Sequence, residues 1–146
     1  MKKSQIMNEL KNAGIDWEVL KKSFGIKLKK GKSMIDQMLE QIIKKTSEHS
    51  LELMKIISPK NLIENHESKM IKTALKEKIY ETIKDLSLIN WKSKKAMLET
   101  NEEKLKAIKK ALDYFLQDFI KIKKELCNEM INNWKKEEIK DNYYIS

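Results

Sequence analysis

The chain has 146 residues, of which 40% are hydrophobic and 36% charged, and a formal net charge of +9. That length suits one domain able to bury roughly 70% of the surface its unfolded form exposes, and the apolar share is too high for a disordered chain. Three Gly and one Pro leave too few turn-formers for an all-β fold, and no uncharged apolar run is long enough to cross a bilayer.

Helical spacing begins near the start. Ile6, Met7, Leu10 and Ala13 mark a short helix closed by Gly14. Asp16 offers an N-cap for a second helix, which carries Trp17, Leu20 and Phe24 on one face and stops at Gly25. The stretch Ile26 to Lys32 is basic, short and broken by Gly31, and reads as a loop that packs poorly. Ser33 caps a third helix in which Ile35, Met38, Leu39, Ile42, Ile43, Leu53, Met54 and Ile57 share a stripe ending before Ser58-Pro59. Such a helix is about 36 Å long, and its polar middle, Lys44 to Ser50, is expected to fray or bend.

Residues 61–67 fit helix and loop about equally. Ser68 is predicted to open a fourth helix bearing Ile71, Leu75, Ile79, Ile83 and Leu86, and Asn90-Trp91 a short fifth with Ala96, Met97 and Leu98. Thr100-Asn101-Glu102-Glu103 has the form of a capping box, in which hydroxyl and carboxylate satisfy each other's backbone N–H groups. The last helix starts there and carries Leu105, Ile108, Leu112, Phe115, Phe119, Ile122 and Leu126, with Leu116, Ile120, Cys127, Met130 and Ile131 widening the stripe. The expected fold is therefore all-α, a single-domain bundle of about five or six amphipathic helices. Residues 1–32 form a short basic helical unit, 33–134 a long-helix bundle and 135–146 a flexible tail.

All 31 basic residues are Lys, while Ile (19) and Asn (10) abound and Val appears once, a pattern that an AT-rich coding sequence produces wherever the fold tolerates it. The charge is nonetheless uneven. Lys21, Lys22, Lys27, Lys29, Lys30 and Lys32 occur with no acidic residue between them, and residues 1–32 set nine Lys against Glu9, Asp16 and Glu18, or +6 of the total +9. Those six lysines are the candidate contacts for an anionic partner such as nucleic acid. The contact would be nonspecific, since Lys lacks the bidentate fork with which Arg reads guanine edges. A helix-turn-helix is a poor fit, because its turn takes three or four residues and the linker here runs from Gly25 to Lys32.

The rest of the chemistry is sparse. Cys127 is the single cysteine, which excludes an internal disulfide and points to a reducing compartment, the cytosol or an organelle lumen. The start, Met1-Lys2-Lys3-Ser4-Gln5-Ile6, runs into Asn8, Glu9 and Lys11 rather than an apolar segment, so no secretory signal is expected. His49 and His66 lie far in sequence from Cys127, which reads as part of a core stripe, and no set of zinc ligands or Gly-rich phosphate loop is present. The expectation is a protein with no catalytic residues, no metal and no cofactor. Eight Met residues, most of them helical, suit either core or a greasy cavity. On the broad last stripe, Leu112, Phe115, Phe119, Ile122, Leu126 and Met130 are the candidate residues for an apolar ligand or for an interface with a protein partner or a second copy.

The order of elements resembles the TetR-like all-helical fold, nearest the ubiquinone-biosynthesis accessory proteins that bind lipids rather than DNA. The residues that carry the resemblance are Trp17 with Leu20, the Gly25 to Gly31 passage in place of a recognition helix, Ile89-Asn90-Trp91 followed by Ala96-Met97-Leu98, and Leu105 to Leu112. It spans residues 5–115; after Asp118 the family's Gly-Asp pair and its aromatic, Thr and basic cluster have no counterpart. The resemblance implies an apolar cavity and no particular contact residues. Three functions follow as expectations: a non-enzymatic helical binding protein for an apolar ligand, lipid or protein partner; a nucleic-acid-binding protein using Lys21 to Lys32; and a small inhibitor or adaptor of a mobile element.

Overall fold

A computed structural model describes residues 3–137, and among them the chain is all α-helical with no strand. Helices α1 (Lys3–Asn12) and α2 (Trp17–Phe24) precede the long α3 (Met34–Ile57). They are followed by α4 (Leu62–Met70), α5 (Thr73–Ala96), α6 (Asn101–Tyr114) and α7 (Ile120–Glu137), the last two joined through a π-helical turn at Phe115–Phe119. No helix among the described residues is long and apolar enough to cross a membrane. Of the expected tail, Lys135, Lys136 and Glu137 continue α7, and the remainder lies outside the described residues.

Local chemistry sets most boundaries. The Asp16 carboxylate accepts from Val19 N at 3.2 Å, and Gly25 closes α2 in the left-handed region at φ 61°. Ser33 Oγ accepts from Asp36 N at 3.3 Å at the start of α3. Asn61 and Glu64 cap α4 jointly: Asn61 Oδ1 accepts from Glu64 N at 2.8 Å, and the Glu64 carboxylate accepts from Lys60 N at 3.1 Å and from Asn61 Nδ2 at 2.7 Å. At α6 only half of the expected box is made. Thr100 Oγ1 accepts from Glu103 N at 3.3 Å, while the Glu103 carboxylate turns to Lys106 at 3.3 Å.

The structure departs from the sequence reading at three places, each with a buried polar side chain at its centre. Ser68 does not open a helix; it sits inside α4, where its buried hydroxyl donates to Ile56 O at 2.6 Å and ties α4 to the last turn of α3. The break falls instead at Ile71, whose backbone is extended. Asn90 begins no helix either. It lies 7% exposed within α5, with Nδ2 at 2.8 Å from Ile43 O, 3.0 Å from Thr46 Oγ1 and 3.0 Å from Ser47 Oγ on α3. The contacts to Thr46 and Ser47 fall within Lys44 to Ser50, which does not fray but stays helical as part of α3. Thr46 is the buried residue of this stretch and its hydroxyl donates to Ile42 O at 2.9 Å, so it is Thr46 that faces α5 while Lys44, Ser47 and Glu48 stay exposed.

The core has two parts. Ile6, Leu10, Leu20 and Phe24 pack with Ile35, Met38, Leu39 and Ile42 of α3 and with Ile108, Ala111 and Leu112 of α6. Leu53 and Ile56 pack with Ile71, Leu75, Ile79 and Leu86 and with Phe119 and Leu126 near and on α7. Phe115 touches both, at the π-turn, where Ile120 N bonds to Phe115 O. That wider turn brings residues four apart closer into line, and the Phe115 and Phe119 rings stack at 5.3 Å. Each fully buried Leu, Ile or Phe contributes roughly 1.5–3 kcal/mol relative to exposure.

Candidate binding surfaces

The stripe predicted as a ligand site or interface is largely core. Leu112, Phe119 and Leu126 are buried, and Phe115, Ile122 and Met130 are half-buried against the two clusters. The stripe is broad because it serves both clusters in turn, Ile108, Ala111 and Leu112 in the first and Phe119 and Leu126 in the second. On α7 the exposed apolar side chains are Ile131 and Trp134, with Trp134 Nε1 donating to Glu67 at 2.9 Å. Cys127, read as part of the core stripe, is exposed, one step off the face that carries Leu126.

Among the described residues no three or more His, Cys, Asp or Glu come together as metal ligands. His49 is half-buried 4.5 Å from the Phe119 ring and 5.9 Å from that of Phe115. Burial, then the positive charge of Lys123, lowers its pKa and holds it neutral. His66 is exposed, 3.8 Å from the Glu137 carboxylate and 5.4 Å from the Trp134 ring, in the contact that fastens α4 to α7. The Tyr114 hydroxyl is pushed far up by burial and then by the charge of Asp85, so it is a donor and not a base at neutral pH.

The six candidate lysines are all exposed, and among the described residues none lies within 4 Å of a carboxylate. They divide into two sets. Lys21, Lys22 and Lys27 line a shallow groove at the end of α2. Lys29, Lys30 and Lys32 line another of about 500 Å³ with Ser33, Met34 and Asn101. The segment that joins the sets packs better than its sequence suggests: Ile26 is 2% exposed and Leu28 half-buried, while Lys27 and Lys29 between and after them are exposed.

A second surface was not legible as a site in the sequence. Leu51 of α3 and Trp91 of α5, each 67% exposed, line a groove of about 300 Å³ with Ser47, Ser50 and Ser87, floored by Thr46 and Asn90. Leu88 and Tyr80 on α5 and Met54 on α3 are also exposed. Splitting α5 at Asn90 had hidden this pattern. Once the i, i+3/i+4 series runs unbroken through Leu75, Ile79, Thr82, Leu86, Asn90 and Ser93, the side chains of Tyr80, Leu88 and Trp91 fall on the outer face. Lys94 places its ammonium 4.2 Å above the Trp91 ring, and Lys44 and Lys84 are exposed with no carboxylate within 4 Å among the described residues.

Compared with known proteins, the chain matches no family model, no curated protein and no solved structure.

Proposed function

We propose that this chain is a non-enzymatic helical binding protein whose α3–α5 face receives an amphipathic helix of a protein partner. One observation carries the reading: Leu51 and Trp91 remain exposed around a groove, with Leu88 exposed on the same helix as Trp91, although the apolar stripes of both helices are already buried inward. A cluster of large apolar side chains outside a completed core, rimmed by polar groups, is the usual mark of an interaction surface. A groove between two helices suits an apolar ridge of i, i+4 residues. Lys94, whose ammonium lies over the Trp91 ring, favours an acidic group on the occupant. An interior lipid site, as the TetR-like resemblance implies, has less support, because the residues expected to line it pack as core.

The test is capture from a lysate of the source organism with the native chain and with Leu51→Asp/Trp91→Asp, whose substitutions fall on exposed side chains and should leave the circular dichroism unchanged. A protein retained by the native chain and lost from the variant is the expected result, since a buried Trp anchor typically contributes about 2 kcal/mol or more. Identical proteins on both columns, or co-purifying lipid with no protein, would refute the reading.

A further inference from the structure

The basic N-terminal region holds a second feature, independent of the α3–α5 groove. Between the end of α2 and the cap of α3 the chain forms a non-helical strap, residues 26–29, that turns at Gly31 (φ +86°) into Ser33. Ile26 and Leu28 anchor it inward, so Lys27 and Lys29 face outward two residues apart. Its backbone is pinned by a single side chain. Gln37, 8% exposed, accepts from Lys29 N at 2.6 Å and donates through Nε2 to Lys29 O at 3.0 Å and Lys32 O at 3.2 Å. A buried amide is costly unless bonded in this way, and here all three bonds fix the segment that presents Lys29, Lys30 and Lys32.

Elsewhere some lysines brace the bundle, while others, such as Lys44 and Lys84, also lack a carboxylate within 4 Å among the described residues. Lys104 meets Asp36 at 2.7 Å, Lys123 meets Glu52 at 2.6 Å and Lys78 meets Glu125 at 3.5 Å, each joining two helices. The strap lysines and their neighbours Lys21 and Lys22 have no such partner among the described residues. We infer that the strap is a preorganised surface for the phosphate backbone of nucleic acid, bound without regard to base sequence. Ammonium groups held on a fixed backbone neutralise phosphates and release counterions, whereas base readout calls for side chains absent here. An anionic membrane is the poorer fit, since interfacial binding also needs apolar side chains directed outward, and Ile26 and Leu28 point into the core.

The experiment is fluorescence anisotropy of labelled duplex DNA and duplex RNA, each of mixed sequence, titrated with the full chain across a range of salt concentrations. Binding to at least one duplex is expected, with log K falling linearly in log salt at a slope of about −0.9 per phosphate contact. Replacing Lys27, Lys29, Lys30 and Lys32 with Gln should lower affinity on the order of a hundredfold near 0.1 M salt and flatten the slope. A control with the same charge change, Lys121, Lys124, Lys135 and Lys136 to Gln on α7, should lose much less. Gln37→Ala, which keeps every charge but frees the strap, should weaken binding roughly threefold to tenfold while the slope stays close to native. Absence of binding to either duplex, insensitivity to salt, or equal losses in the strap and α7 variants would overturn the inference. Binding to vesicles of anionic phospholipid but to neither duplex would do the same.

Discussion

Asn90 separates two readings of the same sequence by a single-atom exchange. If a helix began there, Asn90→Asp would be neutral, since Asn and Asp serve about equally well as N-caps. In the observed fold the side chain is 7% exposed in the middle of α5 and donates toward Ile43 O, Thr46 Oγ1 and Ser47 Oγ. An aspartate would replace the donor with a charge set against a carbonyl oxygen, and an uncompensated buried charge costs about 3–5 kcal/mol. At this chain length that lowers the thermal midpoint by roughly 10 °C. Asn90→Leu should cost no more than about 1 kcal/mol, because the groups it abandons keep bonds of their own: the Thr46 hydroxyl donates to Ile42 O, and Ile43 O lies inside α3. Burial raises the pKa of the new carboxyl, so its penalty is full above the folded-state value and disappears as pH falls toward the unfolded value of about 3.9. Urea unfolding followed by circular dichroism at pH 7 and pH 4 measures all of this. Asp and Leu variants of equal stability at pH 7 would refute the placement of Asn90.

Two further outcomes follow from named contacts. His49 has its pKa lowered by burial first and then by Lys123, with Lys45 adding to and Glu52 and Glu48 opposing that shift. The unfolded chain therefore takes up this proton first, and the contribution of His49 to stability, complete above its unfolded value of about 6.5, declines as pH drops through that value. His49→Phe should flatten the stability profile between about pH 7 and 5, and parallel profiles for the two proteins would argue against it. Ser68→Ala removes the 2.6 Å bond to Ile56 O and leaves a carbonyl in the last turn of α3 without that partner. A loss of about 1–3 kcal/mol is expected, with faster hydrogen exchange at the end of α3; an unchanged urea midpoint would contradict it.

Apolar periodicity and caps carried the fold class, since both operate within one turn of helix. Asp16, Gly25, Ser33 and Thr100 each mark a boundary that the structure keeps. Asn90 and Ser68 misled for a shared reason. Both residue types cap helices well, but each is also able to satisfy its polar group across a helix pair, and that choice depends on a partner 12 to 47 positions away. The π-turn at Phe115–Phe119 had no sequence signal that helical spacing could register, because an i→i+5 turn changes the register only locally. The Lys cluster was visible from charge alone. The α3–α5 face was not, since an exposed Leu51 or Trp91 stands out only after the buried face of the same helix has been assigned.

An AT-rich coding sequence would favour Lys over Arg, and it would scatter lysines over every solvated face. Much of the chain matches that picture, and several scattered lysines have been drawn into inter-helix pairs such as Lys104 with Asp36. Codon bias does not account for the strap. It supplies neither the inward alternation of Ile26 and Leu28 nor a buried Gln37 whose three bonds end on the backbone of Lys29 and Lys32. A poorly held basic loop would lose conformational freedom on meeting a polyanion; one fixed in advance has already lost it during folding, and more of each ammonium–phosphate contact then appears as affinity. The charge of the N-terminal region and the burial of one amide are thus two parts of a single arrangement, and Gln37→Ala is the substitution that separates them.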